Sequence, residues 1–299
     1  MATPVTTLVV SAPAKVNLTL RILGKRADGY HNLDSVMQKI SLADTVTLHR
    51  LEGPGIQLSC PDSDLPEDNS NLVWKAAEAF LKETDLHGRH GVSIILEKKI
   101  PIAAGLGGGS SDAGAVLTGL NHLFQTELPE KTLLRLAKSL GADVPFFVVP
   151  NSAVRATGIG EKMVEYKKLG NCSVLLVNPG FSVSTAWVYE NFTLTRADKD
   201  SNLSDCRKNE SFGGMCCPLY NDLETVTVQQ YPEIKTIKGV MLDNGASDAL
   251  MSGSGPTVFG IFPDGDTKNL NLRKCVEKLT KQYGAGVFVT RPFNTDKLL

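Results

Sequence analysis

The chain has almost no net charge: 31 Lys+Arg stand against 32 Asp+Glu in 299 residues, a formal −1. No run of five like charges occurs. A protein that lives on nucleic acid needs a basic face to neutralise phosphates, so that role is not expected here. An acidic tail or a basic arm is excluded on the same ground. Cysteine occurs at 60, 172, 206, 216, 217 and 275, with no C-x-x-C pair and no finger-like spacing. The expectation is reduced thiols, not a zinc site or a disulfide framework. Long apolar runs are missing too. Residues 171–189 lack formal charges, but Asn178, Pro179 and Gly180 interrupt them, so no membrane span is expected. The opening MATPVTT has no basic region, apolar core or Arg-rich leader. The expected location is cytoplasmic, or an organellar stroma where a leader has been removed.

What remains is an ordinary globular composition, 42% apolar and 21% charged, without internal repeats or low-complexity tracts. That is core enough for one large or two medium domains. From 8 to 20 the even positions (Leu8, Val10, Ala12, Ala14, Val16, Leu18, Leu20) are apolar and the odd ones from 11 are Ser, Pro, Lys, Asn and Thr. This alternation predicts a half-buried strand with Lys15 and Asn17 on its polar face. Residues 71–82 read as a helix capped by Asn71, and 92–96 as a strand. A helix follows from near Ser110 to about Phe124, and another runs from 130 to 140 and stops at Gly141. Residues 143–149 begin as a turn or cap and end strand-like. Strands are predicted at 173–178, 257–262 and 286–291, and a helix at 267–282. The polar stretch 196–217 reads as a surface loop. Elements mix without a strict βαβ beat, so the fold class is α+β, with a boundary near 150–170.

The densest chemical signal is Pro101-Ile102-Ala103-Ala104-Gly105-Leu106-Gly107-Gly108-Gly109-Ser110-Ser111-Asp112, set between a strand and a helix. Three successive glycines let a phosphate approach the backbone, and a helix N-terminus offers it free N–H groups. The alternative is a glycine turn with a Ser N-cap. There is no G-K-[ST], so it is not a Walker loop, and Ser110 breaks the dinucleotide fingerprint.

This segment resembles the ATP-phosphate loop of the GHMP kinases. The resemblance continues through Ala12-Pro-Ala-Lys15-Val-Asn17-Leu, Asp28-Gly-Tyr30-His31, Asn71-Leu-Val and Gly141-Ala-Asp143-Val-Pro-Phe-Phe. Further on it includes Ala156-Thr-Gly-Ile-Gly-Glu161, Asn221-Asp222-Leu-Glu and Met251-Ser-Gly-Ser-Gly-Pro-Thr-Val-Phe. It implies a two-domain fold: a ribosomal-S5-like N-terminal domain at 1–160, a ferredoxin-like C-terminal domain at 161–299, and the active site in the cleft between them. The triple glycine followed by Ser-Ser-Asp is similar to the branch acting on a cytidine-diphosphate-linked methylerythritol. That branch transfers phosphate from ATP to the 2-hydroxyl, in the non-mevalonate route to isoprenoids. Two alternatives stay open: a GHMP kinase for another small alcohol, of mevalonate or homoserine type, and a non-catalytic nucleotide- or RNA-binding module.

The resemblance implies that residues 101–111 bind ATP, that Asp143 is the catalytic base and that Lys15 is the cation beside it. Read by position alone, Asp143 is equally a helix cap and Lys15 a solvated strand lysine. It also implies substrate contacts from Asn17, Tyr30, His31, Thr185, Tyr189 and Gly253. Tyr30 and Tyr189 would stack on cytosine while His31 reads its edge, the general way a flat base is held. Trp187 reads as packing. The turn at Gly253-Ser254-Gly255 can bring backbone close to phosphates, or simply lead into the next strand. Asn69 and Asn71 cap a helix or line a nucleotide pocket, and His87 and His90 read as surface histidines. Mg²⁺ is expected with ATP, because phosphoryl transfer needs charge neutralisation. Ser110 or Ser111 is the nearby hydroxyl ligand. The remaining expectations are a small-molecule substrate, no nucleic acid or membrane partner, and a monomer or weak homodimer.

Overall fold

The computed structural model describes residues 6–193 and 218–293. The chain folds into two compact units that interleave in sequence. The first is built from Met1–Ala14, Ala43–Ile102 and Gly107–Pro150, the second from Lys15–Leu42, Ala103–Leu106 and Asn151–Leu299. Two long strands, β1 (Thr7–Lys25) and β2 (His31–Leu51), each give residues to both units.

In the first unit, the outer half of β2 pairs antiparallel with β4 (Gly91–Glu97), from Thr45 opposite Glu97 to Leu51 opposite Gly91. Strand β3 (Gly55–Ser59) lies parallel on the other side of β4. Helix α1 (Leu72–Glu83) packs against α2 (Gly108–Leu123), which also meets α3 (Glu130–Leu140) and the short α4 (Val144–Val148). The core between helices and strands holds Val46, Leu48, Phe80, Ile94, Val116 and Leu120. Helix α2 comes close to its neighbours because two positions lack side chains. A Cβ on Gly114 would lie 2.7 Å from the Cβ of Phe147, and one on Gly119 would lie 2.6 Å from Leu48. Residues 144–148 form helix α4, where the sequence reads as ending strand-like. Pro145 sits in its first turn, where a missing N–H costs nothing, and five successive buried apolar residues carry no periodicity to read.

In the second unit, the inner half of β2 pairs with β5 (Ala153–Gly158), which in turn pairs with β6 (Lys162–Glu165). A second sheet is formed with β7 (Cys172–Val177). After it come α5 (Thr185–Asn191), the two-residue β8 (Tyr220–Asn221), α6 (Asp222–Gln230) and α7 (Glu233–Asp243). The chain closes with β9 (Asp248–Met251), β10 (Val258–Pro263), α8 (Asp266–Tyr283) and β11 (Val287–Thr290). The sheet runs β11-β7-β10-β9, all neighbours antiparallel. Counted within that sheet the order is 4-1-3-2, the split βαβ arrangement of ferredoxin-like domains. Helices α7 and α8 pack on it around Ile234, Ile237, Met241, Leu272 and Leu279. The predicted loop at 196–217 lies outside the described residues.

Candidate active site

Strand β1 keeps its predicted alternation, but its polar face is not solvated. Every residue from Ala12 to Leu20 is buried, including Lys15 and Asn17 at 4% exposure each. Within the second unit, Lys15 Nζ donates to Asn17 Oδ1 at 2.6 Å, and Asn17 Nδ2 donates to Ser35 Oγ at 2.9 Å. Ser35 Oγ in turn donates to Thr19 O at 2.7 Å. The chain of donors fixes which end of the Asn17 amide faces the lysine. A solvated strand lysine is therefore not what Lys15 is.

The late glycine turn lies beside this pair. Ser252 Oγ donates to Gly105 O at 2.9 Å and accepts from the Asn17 amide at 3.4 Å. Gly253 has φ +57°, and a Cβ there would come 3.5 Å from Asn17 Oδ1. Thr185 Oγ1 and Ser254 Oγ share a hydrogen bond of 2.7 Å. The second unit thus brings together Lys15, Asn17, Gly253 and Thr185. It also sets the rings of His31 and Tyr189 face by face, centroids 5.3 Å apart and tilted by 32°. Burial, helped by the charge of Lys25, pushes the His31 imidazole below its usual range, which favours the neutral ring. Tyr30 is 61% exposed at the tip after the Asp28-Gly29 turn, and Trp187 packs at the edge of the core as expected.

In the glycine-rich segment 101–112, alternate residues Ala103, Gly105 and Gly107 have φ of +53°, +75° and +70°. Alternation of hand curls successive N–H groups toward one side, the geometry of an anion nest. Gly107 is the left-handed N-cap of α2, so the helix begins at Gly108 and no serine caps it. The first intrahelical bond is Ser111 N–H to Gly107 O, leaving the amides of Gly108, Gly109 and Ser110 at the open helix end. A Cβ on Gly109 would meet nothing within 4 Å, whereas one on Gly108 would lie 3.1 Å from Ile100 Cγ2 and 3.3 Å from Lys98 Nζ. The open face of the loop is therefore that of Gly109.

Beneath α2 the first unit holds charges that sequence reasoning did not single out. Lys98 Nζ donates to Asp44 Oδ2 and, at 2.7 Å, to Asp112 Oδ2. Asp44 Oδ1 accepts from the amides of Lys99 at 2.5 Å and Ile100 at 2.8 Å. Burial, against the pull of Lys98, raises the Asp112 carboxyl to about 7. Asp112 Oδ1 and the Ser111 hydroxyl are buried with no hydrogen-bond partner. Only the position of Asp112, directly after the serines, hinted at this cluster. Lys98 and Asp44 are ordinary residues in sequence, 54 positions apart.

Asp143 stands at the N-cap of α4 with helical angles (φ −88°, ψ −17°), and its side chain makes no capping bond. The capping role thus has no bond to support it. Asn71, by contrast, is a cap: Oδ1 accepts from Val73 N at 3.0 Å and Nδ2 donates to Pro66 O at 2.8 Å. His90 lies against Phe124, ring centroids 6.3 Å apart. Among the described residues no three His, Cys, Asp or Glu side chains group as metal ligands. Nor is any described helix long and apolar enough to cross a membrane.

Comparison with known proteins bears on what this arrangement does. The model of the GHMP kinases N terminal domain matches residues 71–151, and that of the GHMP kinases C terminal domain matches 207–275. The 4-diphosphocytidyl-2-C-methyl-D-erythritol kinase of Syntrophotalea carbinolica is 46% identical over 283 residues, covering 95% of this chain and 98% of the relative. That of Desulfotalea psychrophila is 42% identical over 291 residues, 97% of each. The crystal structure of a 4-(cytidine 5'-diphospho)-2C-methyl-D-erythritol kinase superposes with a TM-score of 0.78 at 34% identity, covering 96% of this chain and all of that one. A homoserine kinase from Cytophaga hutchinsonii shares the fold alone, with a TM-score of 0.71 at 19% identity over 98% of this chain and 96% of that one. Full-length identity of this order places it: the chain belongs to the 4-diphosphocytidyl-2-C-methyl-D-erythritol kinase family of the GHMP kinases.

Proposed function

We propose that this protein transfers the γ-phosphoryl group of ATP to the 2-hydroxyl of 4-diphosphocytidyl-2-C-methyl-D-erythritol, a step toward isoprenoid precursors. The observation that carries the choice of substrate is the His31–Tyr189 ring pair in the unit that also holds Lys15 and Asn17. A flat base needs a π-face and hydrogen-bonding groups at its edge, and a neutral imidazole both donates and accepts. Tyr30 supplies the outer aromatic surface in this reading, and Thr185 and Gly253 contact the substrate beside Asn17. Small alcohols such as mevalonate or homoserine have no use for such a surface.

In the proposed reaction the open amides of Gly108, Gly109 and Ser110 and the backbone of residues 101–107 hold the ATP phosphates. The Ser111 hydroxyl, buried and without a partner, fits a ligand of the expected Mg²⁺. Bound there, the ion supplies neutralisation of phosphate charge. Asp143 accepts the proton of the 2-hydroxyl as the phosphoryl group arrives. Lys15, oriented by Asn17, stabilises charge on the reacting groups. A loose transition state asks little basicity of the aspartate and much of its position. By the family's scheme the N-terminal domain runs over 1–160 and the C-terminal domain over 161–299, and the enzyme works in the cytoplasm or a stroma.

An assay of ADP release with the cytidyl substrate, mevalonate and homoserine side by side tests the reading. Turnover confined to the cytidyl substrate is expected. Equal or faster turnover of either small alcohol overturns it.

A further inference from the structure

The Asn221-Asp222-Leu-Glu224 motif has no part in the chemistry above, yet it grips both substrate-bearing segments of the second unit. Strand β9 is the edge of its sheet, so the outward backbone groups of Met251 need partners from elsewhere. Helix α6 supplies them. Asn221 Nδ2 donates to Met251 O and to Gly253 O, each at 2.8 Å, and Met251 N–H donates to Glu224 Oε2 at 2.8 Å. One turn further along, Thr227 Oγ1 lies 3.3 Å from Ser254 O as donor. Residues 221, 224 and 227 recur every third position, so they share one side of the helix. Asp222 faces elsewhere: its Oδ2 accepts from the Ile22 amide at 2.6 Å, on the strand that carries Lys15 and Asn17.

A Gly-Ser-Gly turn has little side chain of its own to hold it, and its glycines roam widely in φ. Its position must be imposed by bonds to its carbonyls. We infer that Asn221 and Glu224 are positioning residues which fix the Gly253 turn against Asn17 and so set affinity for the substrate, a role that rests on the kinase reading above. Asn221 also caps α6 through Oδ1, which accepts from Leu223 N at 3.0 Å. Capping and turn-holding use different atoms of the same amide, and so they can be separated.

Asn221→Ser keeps a cap acceptor but cannot reach both carbonyls. Compare it with Ile237→Val, a core change on α7 in the same unit that costs a little stability and removes no hydrogen bond to the turn. Calorimetry with the cytidyl substrate is expected to show a rise in Kd of about tenfold for Asn221→Ser, with the Kd for ATP within about twofold. The Ser252 and Gly255 amides, bonded to Thr257 O and Ser252 O, should exchange hydrogen about tenfold faster than in Ile237→Val. Glu224→Ala gives a second variant with the same expected direction, and Glu224→Gln, which still accepts from Met251 N–H, should recover most of the loss. Unchanged substrate affinity in folded variants, or equal losses for ATP and substrate, overturns the inference. Exchange no faster than in the Ile237→Val control does so as well, whatever ligand the site takes. A wild type without affinity for the cytidyl substrate instead overturns the proposed function, while the exchange comparison still decides the positioning role.

Discussion

Lys15 and Asn17, two residues apart on one face of β1, are joined by a 2.6 Å hydrogen bond inside a segment buried on both faces. Burying an ammonium is costly unless its protons are used. The bond to Asn17 uses one, and the Asn17–Ser35–Thr19 chain behind it keeps the acceptor from rotating away. A lysine held this way is fixed in direction, which is what transition-state electrostatics requires and what a surface lysine lacks.

Asp143→Asn should lower kcat by ~10²–10⁴, the usual span for a positioned acid or base. Because the side chain makes no capping bond, no helix-cap loss should accompany the drop in kcat. A true cap would lose about 1 kcal/mol of stability instead. Lys15→Ala should lower kcat comparably, and the double variant should be far less impaired than the product of the single effects. Single-turnover rates with parallel melting curves check this. Near-normal kcat in Asp143→Asn would place the base elsewhere.

Tyr189→Ala should weaken binding of the cytidyl substrate by ~1–3 kcal/mol, the range for loss of one base-stacking aromatic. Tyr189→Phe should be nearly silent, since the ring carries the contact. ATP affinity should be unaffected in both. Titration calorimetry with each ligand separately decides it, and parallel losses would mark Tyr189 as structural.

The two loop glycines should respond differently. Gly109→Val adds a side chain over open space at the helix end, so it should raise the Kd for ATP steeply while the protein stays as stable as before. Gly108→Val drives its side chain toward Ile100 and Lys98, so overpacking should cost about 1–3 kcal/mol of stability. Urea melts and nucleotide titrations of both variants separate packing from ligand exclusion. Unchanged ATP affinity in Gly109→Val would remove this helix end from the nucleotide site.

Much of this was legible in the sequence, and the limits have identifiable causes. The alternation of β1 and the one-sided apolar patterns of α3 and α8 announce those elements because each depends only on its own residues. The burial of Lys15 and Asn17 was not legible, because the partners Ser35 and Ser252 lie 18 and 235 positions from Asn17. Helix α4 was missed because a wholly buried run has no period. Asp143, a cap when read by position alone, stands at the N-cap of that helix without a capping bond. The start of α2 was placed too late because Gly107 caps by adopting a left-handed backbone, which leaves no polar side chain as a marker. The interleaving of the two units cannot be read as a boundary, since strands β1 and β2 serve both.

Lys39 offers a pH test of the second unit. Burial lowers its pKa from 10.5 to about 8. The unfolded chain therefore binds the proton more tightly than the folded one between about pH 8 and 10.5, so this group's contribution to stability rises with pH across that window. Lys39→Met should remove the rise, which amounts to roughly 1–3 kcal/mol across that window. Urea midpoints of the two proteins from pH 7 to 10 provide the check. Parallel curves would mean that Lys39 is well solvated.

The Lys98 cluster ties stability to nucleotide binding. Lys98 lies between two buried carboxylates, one on β2 and one on α2, with its Nζ 3.3 Å from where a Cβ on Gly108 would stand. Lys98→Met removes the only cation among these three groups and leaves Asp44 and Asp112 facing each other in a medium that screens poorly. Breaking a buried pair in this way costs about 3–5 kcal/mol. Asp44 keeps its bonds to the amides of Lys99 and Ile100, so the penalty should fall mainly on Asp112, whose other oxygen already lacks a partner. It follows that Lys98→Met/Asp112→Asn should recover much of the stability lost in Lys98→Met, because the second change removes a carboxyl that, without Lys98, stays buried beside Asp44 only by taking up a proton. Asp112 is in the first turns of α2, next to Ser111, so its displacement should also disturb the amides at the helix end. The Kd for ATP should rise about tenfold in Lys98→Met and recover in part in the double variant. Melting curves with and without ATP measure both effects at once. Full stability in Lys98→Met would show that the cluster does not hold α2 in place.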